Sequence, residues 1–179
     1  EAVKDGVVLD LRYEARDVDQ NITAQDRIDL WFETKTRGLN DIAKAQLKER
    51  WGTMRRVLSS KDRLQKIVAD ILLDFETKHR LMSGHGNAML VSDGVYNACR
   101  FYELFQGTPL EGKVSIVTSF SGTVAEMKGE ESLEGETEKQ FKFDTYQKML
   151  GGKDIAAFES EVKQKFIKEP GQMKLLIVV

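Results

Sequence analysis

A chain of 179 residues with 41% hydrophobic and 31% charged side chains has the composition of one folded domain, with or without an appendage. That excludes a disordered protein, and a net charge of −2 excludes the overall basicity of an autonomous nucleic-acid-binding domain. No stretch approaches the ~20 apolar residues of a membrane span, and a single cysteine excludes a disulfide framework and fits a reducing cytoplasm.

The opening EAVKDGVVLD lacks the basic start and apolar core of a signal peptide. Residues 1–22 form a linking strand: Val7, Leu9, Leu11 and Tyr13 alternate with Val8, Asp10, Arg12 and Glu14, the period of a half-buried strand. No Asn-Gly or Asp-Gly turn follows, so its partner is remote. Residues 23–83 are helical. Thr23 or Asp26 caps a first helix that buries Ile28, Trp31 and Phe32, and Gly38 closes it. A second helix carries Leu47, Trp51, Met54 and Leu58, and SSKD at 59–62 interrupts it and caps a third. That third helix holds the best apolar stripe, Leu64, Ile67, Val68, Ile71, Leu72 and Phe75. Full burial of six such side chains contributes roughly 10 kcal/mol before entropy is charged against it, so the helix packs on something substantial. The basic clusters KTR at 35–37 and KER with MRR between 48 and 56 read first as solvated helix faces.

SGHGN, ending at Asn87, is a glycine-punctuated boundary, and residues 84–179 change rhythm. Ala88–Val91 is a short apolar strand, followed by a helix with Val95, Ala98, Cys99, Tyr102 and Phe105 on one face. Val114–Val117 is a second buried run, ending in TSFSG. A polar, glycine-spaced stretch follows, with an acidic loop over 128–138, and then two helices through Phe143, Tyr146 and Leu150 and through Ile155, Phe158, Val162 and Phe166. EPG at 169–171 stops the last helix, and MKLLIVV is an all-apolar strand of the sort found in the middle of a parallel sheet. We expect the natural protein to continue past it, because native chains seldom stop in mid-core. Strand, helix, strand, helices, strand predicts an α/β fold with a parallel sheet, whose ligand edge lies at the carboxyl ends of the strands.

Few residues offer chemistry. His79 and His85 have no partner at zinc-site spacing and read as loop residues, and Cys99 reads as a packed hydrophobe. GHGN places its glycines before a strand, and no GxxxxGK[ST] or GxGxxG follows one, which excludes a phosphate-binding loop within this chain. GEESLEGE misses the calcium-loop pattern. The strand ends are better placed: Ser92 and Asp93 at one, Thr118 and Ser119 at the next, put hydroxyls and helix N-terminal amides on one edge. Such groups suit phosphate oxygens, and they equally serve as helix caps.

GNAMLVSDGVYNACRFYELF, KVSIVTSF, the loop ending GETEK, YQKML and EPGQMKLLIVV resemble the second motor domain of the R subunit of type I restriction enzymes. GVVLDLRYEARDV and the helical stretch from Leu30 to Lys78 are similar to the same family, so the resemblance covers nearly the whole chain in order. It implies an incomplete RecA-like domain, preceded by a strand and a three-helix segment. The parent would be a superfamily 2 translocase and endonuclease that uses ATP and Mg to pull duplex DNA. Its partners would be the methyltransferase and specificity subunits, in a bacterial or archaeal cytoplasm. Residues 88–106 are similar to motif IV, and the resemblance puts Ser92, Asp93, Thr118 and Ser119 against the DNA backbone. The family's ATP-binding and nuclease residues map onto no position here, so the fragment alone is expected to be inactive and to hold no cofactor. SFSGTVAEMKGEE departs from the SYxPS-like stretch of the family. Two other functions fit the residues: a self-contained α/β module for a phosphorylated ligand, and a helical protein-interaction domain.

Overall fold

The computed structural model describes residues 13–18, 25–51, 61–119 and 136–179. The strand expected before Tyr13 lies outside them, as do Met54, Leu58 and the acidic loop up to Gly135. In chain order the elements are α1 (Gln25–Lys35), α2 (Asp41–Trp51), α3 (Lys61–Thr77), α4 (His79–Met82) and β1 (Ala88–Val91). Then come α5 (Val95–Phe105), β2 (Val114–Val117), α6 (Glu136–Leu150), α7 (Ile155–Lys168) and β3 (Leu175–Val178).

The local signals are met where they can be checked. Gly38 sits at φ +97° after α1, a conformation that side chains with a Cβ rarely take. The Asn40 side chain accepts from the Ala43 amide at 2.8 Å and caps α2. Lys44 pairs with Glu33 at 2.7 Å, and Lys48 lies 5.1 Å from the Phe32 ring centre, so these two contacts bind α2 to α1. Asp154 caps α7 by accepting from the Ala157 amide.

The three strands are all parallel in the order β1-β3-β2, with Val91, Val178 and Val117 in register. The terminal apolar strand is therefore the central one, and it is buried accordingly. Because side chains alternate across a strand, one face presents Ala88, Leu90, Val114, Ile116, Leu175 and Ile177 to a core closed by α3, α5 and α6. The other face presents Val117, Leu176 and Val178 to Phe158, Val162 and Phe166 of α7. This is an α/β fold with a three-stranded parallel sheet and helices on both faces, consistent with an incomplete RecA-like domain.

Two details differ from expectation. β1, read from the sequence as the first of two buried apolar runs, lies at one edge of the sheet, and α7 covers β2 and β3, so Met89 and Val91 are 66% and 78% exposed. In α3, Leu64 and Val68 are fully buried while Ile67, Ile71, Leu72 and Phe75 pack partly exposed against the same core. The helix thus belongs to the core of the sheet, and it contributes less than complete burial would.

Polar ties fix the surroundings of α3. Arg16 reaches Asp70 at 2.7 Å and Asp74 at 2.9 Å, and Lys78 reaches Glu14 at 3.3 Å, which lays residues 13–18 along the helix. Beyond it, the buried Lys174 donates to the carbonyls of Leu81 and Gly86, both at 3.2 Å, joining the α4 loop to the start of β3. Burial holds its pKa below that of an ordinary lysine, with neighbouring Lys113 adding to the effect.

Candidate nucleic-acid interface

Since the three strands end in register, the segments that follow them share one edge of the sheet. The Ser92 amide donates to the Val178 carbonyl at 2.9 Å, and Val179 donates to Val117 at 3.4 Å, which carries the ladder into the joints. Ser92-Asp93 and Thr118-Ser119 therefore flank the end of β3, about 10 Å apart across two strand spacings. All four residues read from the sequence are brought together on this edge.

Their roles within it differ. Ser92 is 8% exposed, and its hydroxyl donates back to the Gly94 carbonyl at 3.1 Å. Thr118 is equally buried, while Ser119 is exposed. Asp93 is exposed and its carboxylate accepts from the Asn97 side-chain amide at 2.7 Å, one helical turn on. No side chain caps the first turn of α5, so its N-terminal amides and the positive end of the helix dipole face this edge uncapped by a side chain.

A small cleft of about 170 Å³ opens beside β1. Its apolar wall comes from Leu64, Ile67 and Phe101, and its polar groups are Arg63, Ser92, Asp93 and Asn97. Of these, Asn97 was legible as an i, i+4 partner of Asp93, but nothing in the sequence brings Arg63 of α3 to a joint some thirty residues away.

The remaining candidates stay apart from this edge. Cys99 is fully buried, and burial pushes its thiol up to about 12, so it is a packed side chain and no nucleophile. His79 begins α4, where a loop was expected, and His85 lies in the loop after it. Among the described residues no group of three or more histidine, cysteine, aspartate or glutamate side chains converges to hold a metal. The β1–α5 joint is three residues long with one glycine and an exposed carboxylate, where a triphosphate needs a longer amide-lined loop and a lysine. Among the described residues no helix is long and apolar enough to cross a membrane.

A parallel sheet layered between helices, with polar joints at the carboxyl ends of its strands, defines an α/β domain, consistent with an incomplete RecA-like one. The chain belongs to the R subunit family of type I restriction enzymes: residues 84–179, more than half of it, match the family "Type I restriction enzyme subunit R domain 3". Over 120 residues, 66% of the chain, it is 32% identical to the "Putative type I restriction enzyme MjaIXP endonuclease subunit" of Methanocaldococcus jannaschii. That stretch covers only 11% of the relative, so the chain spans a small part of the curated protein it resembles. No solved structure matches significantly.

Proposed function

We propose that this chain is the opening part of the second motor domain in a type I restriction R subunit, and that its strand-end edge grips the backbone of duplex DNA during ATP-driven translocation. What supports this is the register of β1, β3 and β2, which sets Ser92, Asp93, Thr118 and Ser119 on one edge. A translocase needs phosphate contacts without base readout, and main-chain amides with hydroxyls supply them. Within the edge, the α5 N-terminal amides and the exposed Ser119 are the phosphate donors. Ser92 and Thr118 shape the joints, and Asp93, itself an anion, holds Asn97 in place. ATP and Mg belong to parts of the parent protein outside this chain. Domain closure driven by ATP would move this edge relative to the preceding motor domain. The methyltransferase and specificity subunits are the proposed partners, and the bacterial or archaeal cytoplasm the proposed location.

The test is anisotropy of a labelled duplex with the 179-residue chain. Binding should be weak and fall about tenfold between 50 and 200 mM salt if two phosphates are contacted. Ser119→Glu should weaken it further. Salt-insensitive binding, or none at low salt, overturns the proposal. Thermal stabilisation by nucleotides or sugar phosphates would instead favour a small-ligand module.

A further inference from the structure

Charge sets a problem at the strand-end edge. Ser92, Asp93, Thr118 and Ser119 together carry one negative charge, on the exposed Asp93, and an anion opposes a polyphosphate backbone. Hydroxyls and main-chain amides bond phosphate oxygens without neutralising them, and it is lysine or arginine at a phosphate that releases counterions. A grip on duplex DNA therefore needs a cation at this edge. The fold brings one there. Arg63, in the first turn of α3, lines the cleft of about 170 Å³ together with Ser92 and Asp93, and it is the one cation among the described residues that line it. Arg63 is half-buried, and Leu64, Ile67 and Phe101 in the same lining offer its stem apolar surface. Leu64 and Val68 anchor α3 in the core, which fixes the neighbouring Arg63 relative to the β1–α5 joint. Two nearby acids have other partners: Lys66 pairs with Asp62 at 3.0 Å, and the Asp93 carboxylate accepts from Asn97 at 2.7 Å.

We propose that Arg63 contacts a backbone phosphate of the duplex held along this edge and supplies the positive charge that the strand-end residues lack. The guanidinium is always charged and its planar fork matches two oxygens of one phosphate. The contact reads charge and not bases, so it is the same for duplexes of any sequence. This inference rests on the reading of the edge as DNA-facing. It extends the interface into the helical segment, outside residues 84–179 that match the family domain. On this account α3 has two tasks, closing the core with Leu64 and Val68 and presenting Arg63 to the DNA.

The experiment measures the salt dependence of duplex binding by the 179-residue chain and three variants. Arg63→Gln should weaken binding equally for duplexes of different sequence, and should shrink the loss between 50 and 200 mM salt from about tenfold to about threefold, the change for one phosphate fewer. Arg63→Lys keeps the charge and should keep the salt dependence. Lys163→Gln removes one charge from α7, on the far side of the sheet, where Lys163 pairs with Glu159, and should leave the salt dependence as it is. An unchanged salt dependence in Arg63→Gln overturns the contact and leaves the backbone grip standing. So does an equal reduction in Lys163→Gln, which would mark an effect of net charge alone. No duplex binding by the unmodified chain overturns both. Because Arg63→Gln could disturb folding, the unmodified chain is also treated with phenylglyoxal, with and without duplex at low salt, and modification of Arg63 is followed by mass spectrometry. Duplex should slow it severalfold. An unchanged rate, or an Arg63 that does not react even without duplex, overturns the proposal.

Discussion

At the scale of single residues, two positions carry the firmest expectations. A Cβ placed on Gly86 would overlap the carbonyl oxygen of Arg80, and the carbonyl of Gly86 is itself held by buried Lys174. Backbone must shift to admit it, so Gly86→Ala should cost about 1–3 kcal/mol, seen as a lower melting temperature with unchanged circular dichroism. Cys99 tests burial directly. With its thiol near 12 against an ordinary 9.0, the native thiolate fraction at pH 8 is about a thousandfold below that of the unfolded chain. Iodoacetamide should therefore label it only after denaturation, and fast labelling of the native protein would contradict its placement. The sign of the linkage follows. A folded pKa raised above the unfolded value leaves its contribution intact below pH 9, and stability falls as the unfolded thiol ionises between about 9 and 12. Cys99→Ala should flatten that part of the stability-pH curve.

At the scale of elements, α3 decides the question of boundaries in the core. Its apolar stripe was legible from spacing alone, because positions three and four apart share one face of a helix. What the spacing could not tell is that the stripe packs on a sheet formed later in the chain, since contacts distant in sequence leave no local mark. Leu64→Ala should destabilise the whole unit by about 2–5 kcal/mol, because Leu64 sits in one cluster with Phe101, Ile116 and Ile177. Leu73→Ala, on the exposed side of the same helix, should stay within about 0.5 kcal/mol. Denaturant melts followed by helix and core probes should coincide for the unmodified chain; separate transitions would mean that α3 is not part of the core. The strand-end joints show a similar division. Ser92, Asp93, Thr118 and Ser119 were placed by the turn chemistry after each apolar run, yet which hydroxyl is buried depended on neighbours. Ser92 turns inward to Gly94, whereas Ser119 stays in water.

At the scale of the molecule, the sheet is asymmetric. The backbone amide of Ile116 in β2 donates to the Met149 sulfur at 3.3 Å, so a side chain of α6 meets that strand. β1 instead leaves Met89 and Val91 exposed on the α7 side. Met89→Gln should change the stability of the isolated chain by no more than about 0.5 kcal/mol, measured by urea titration, whereas Ile177→Gln, on the opposite face in the core, should abolish cooperative unfolding. A loss at Met89 comparable to that at Ile177 would mean that this face is covered.

The sequence by itself determined the order and type of the three strands and of the longer helices among the described residues, the α/β class, the central character of LLIV in the parallel sheet, and the packed state of Cys99. It also carried the family resemblance. Each of these rests on local periodicity, turn chemistry or an uninterrupted apolar run, and such signals lie within a few residues of one another. Only the tertiary structure decided the strand order that puts β3 between β1 and β2, the exposure of Met89 and Val91, and the cleft that brings Arg63 to Asn97. Those features arise where segments far apart in the chain exclude water from each other, and pairwise burial across such distances has no periodicity to betray it.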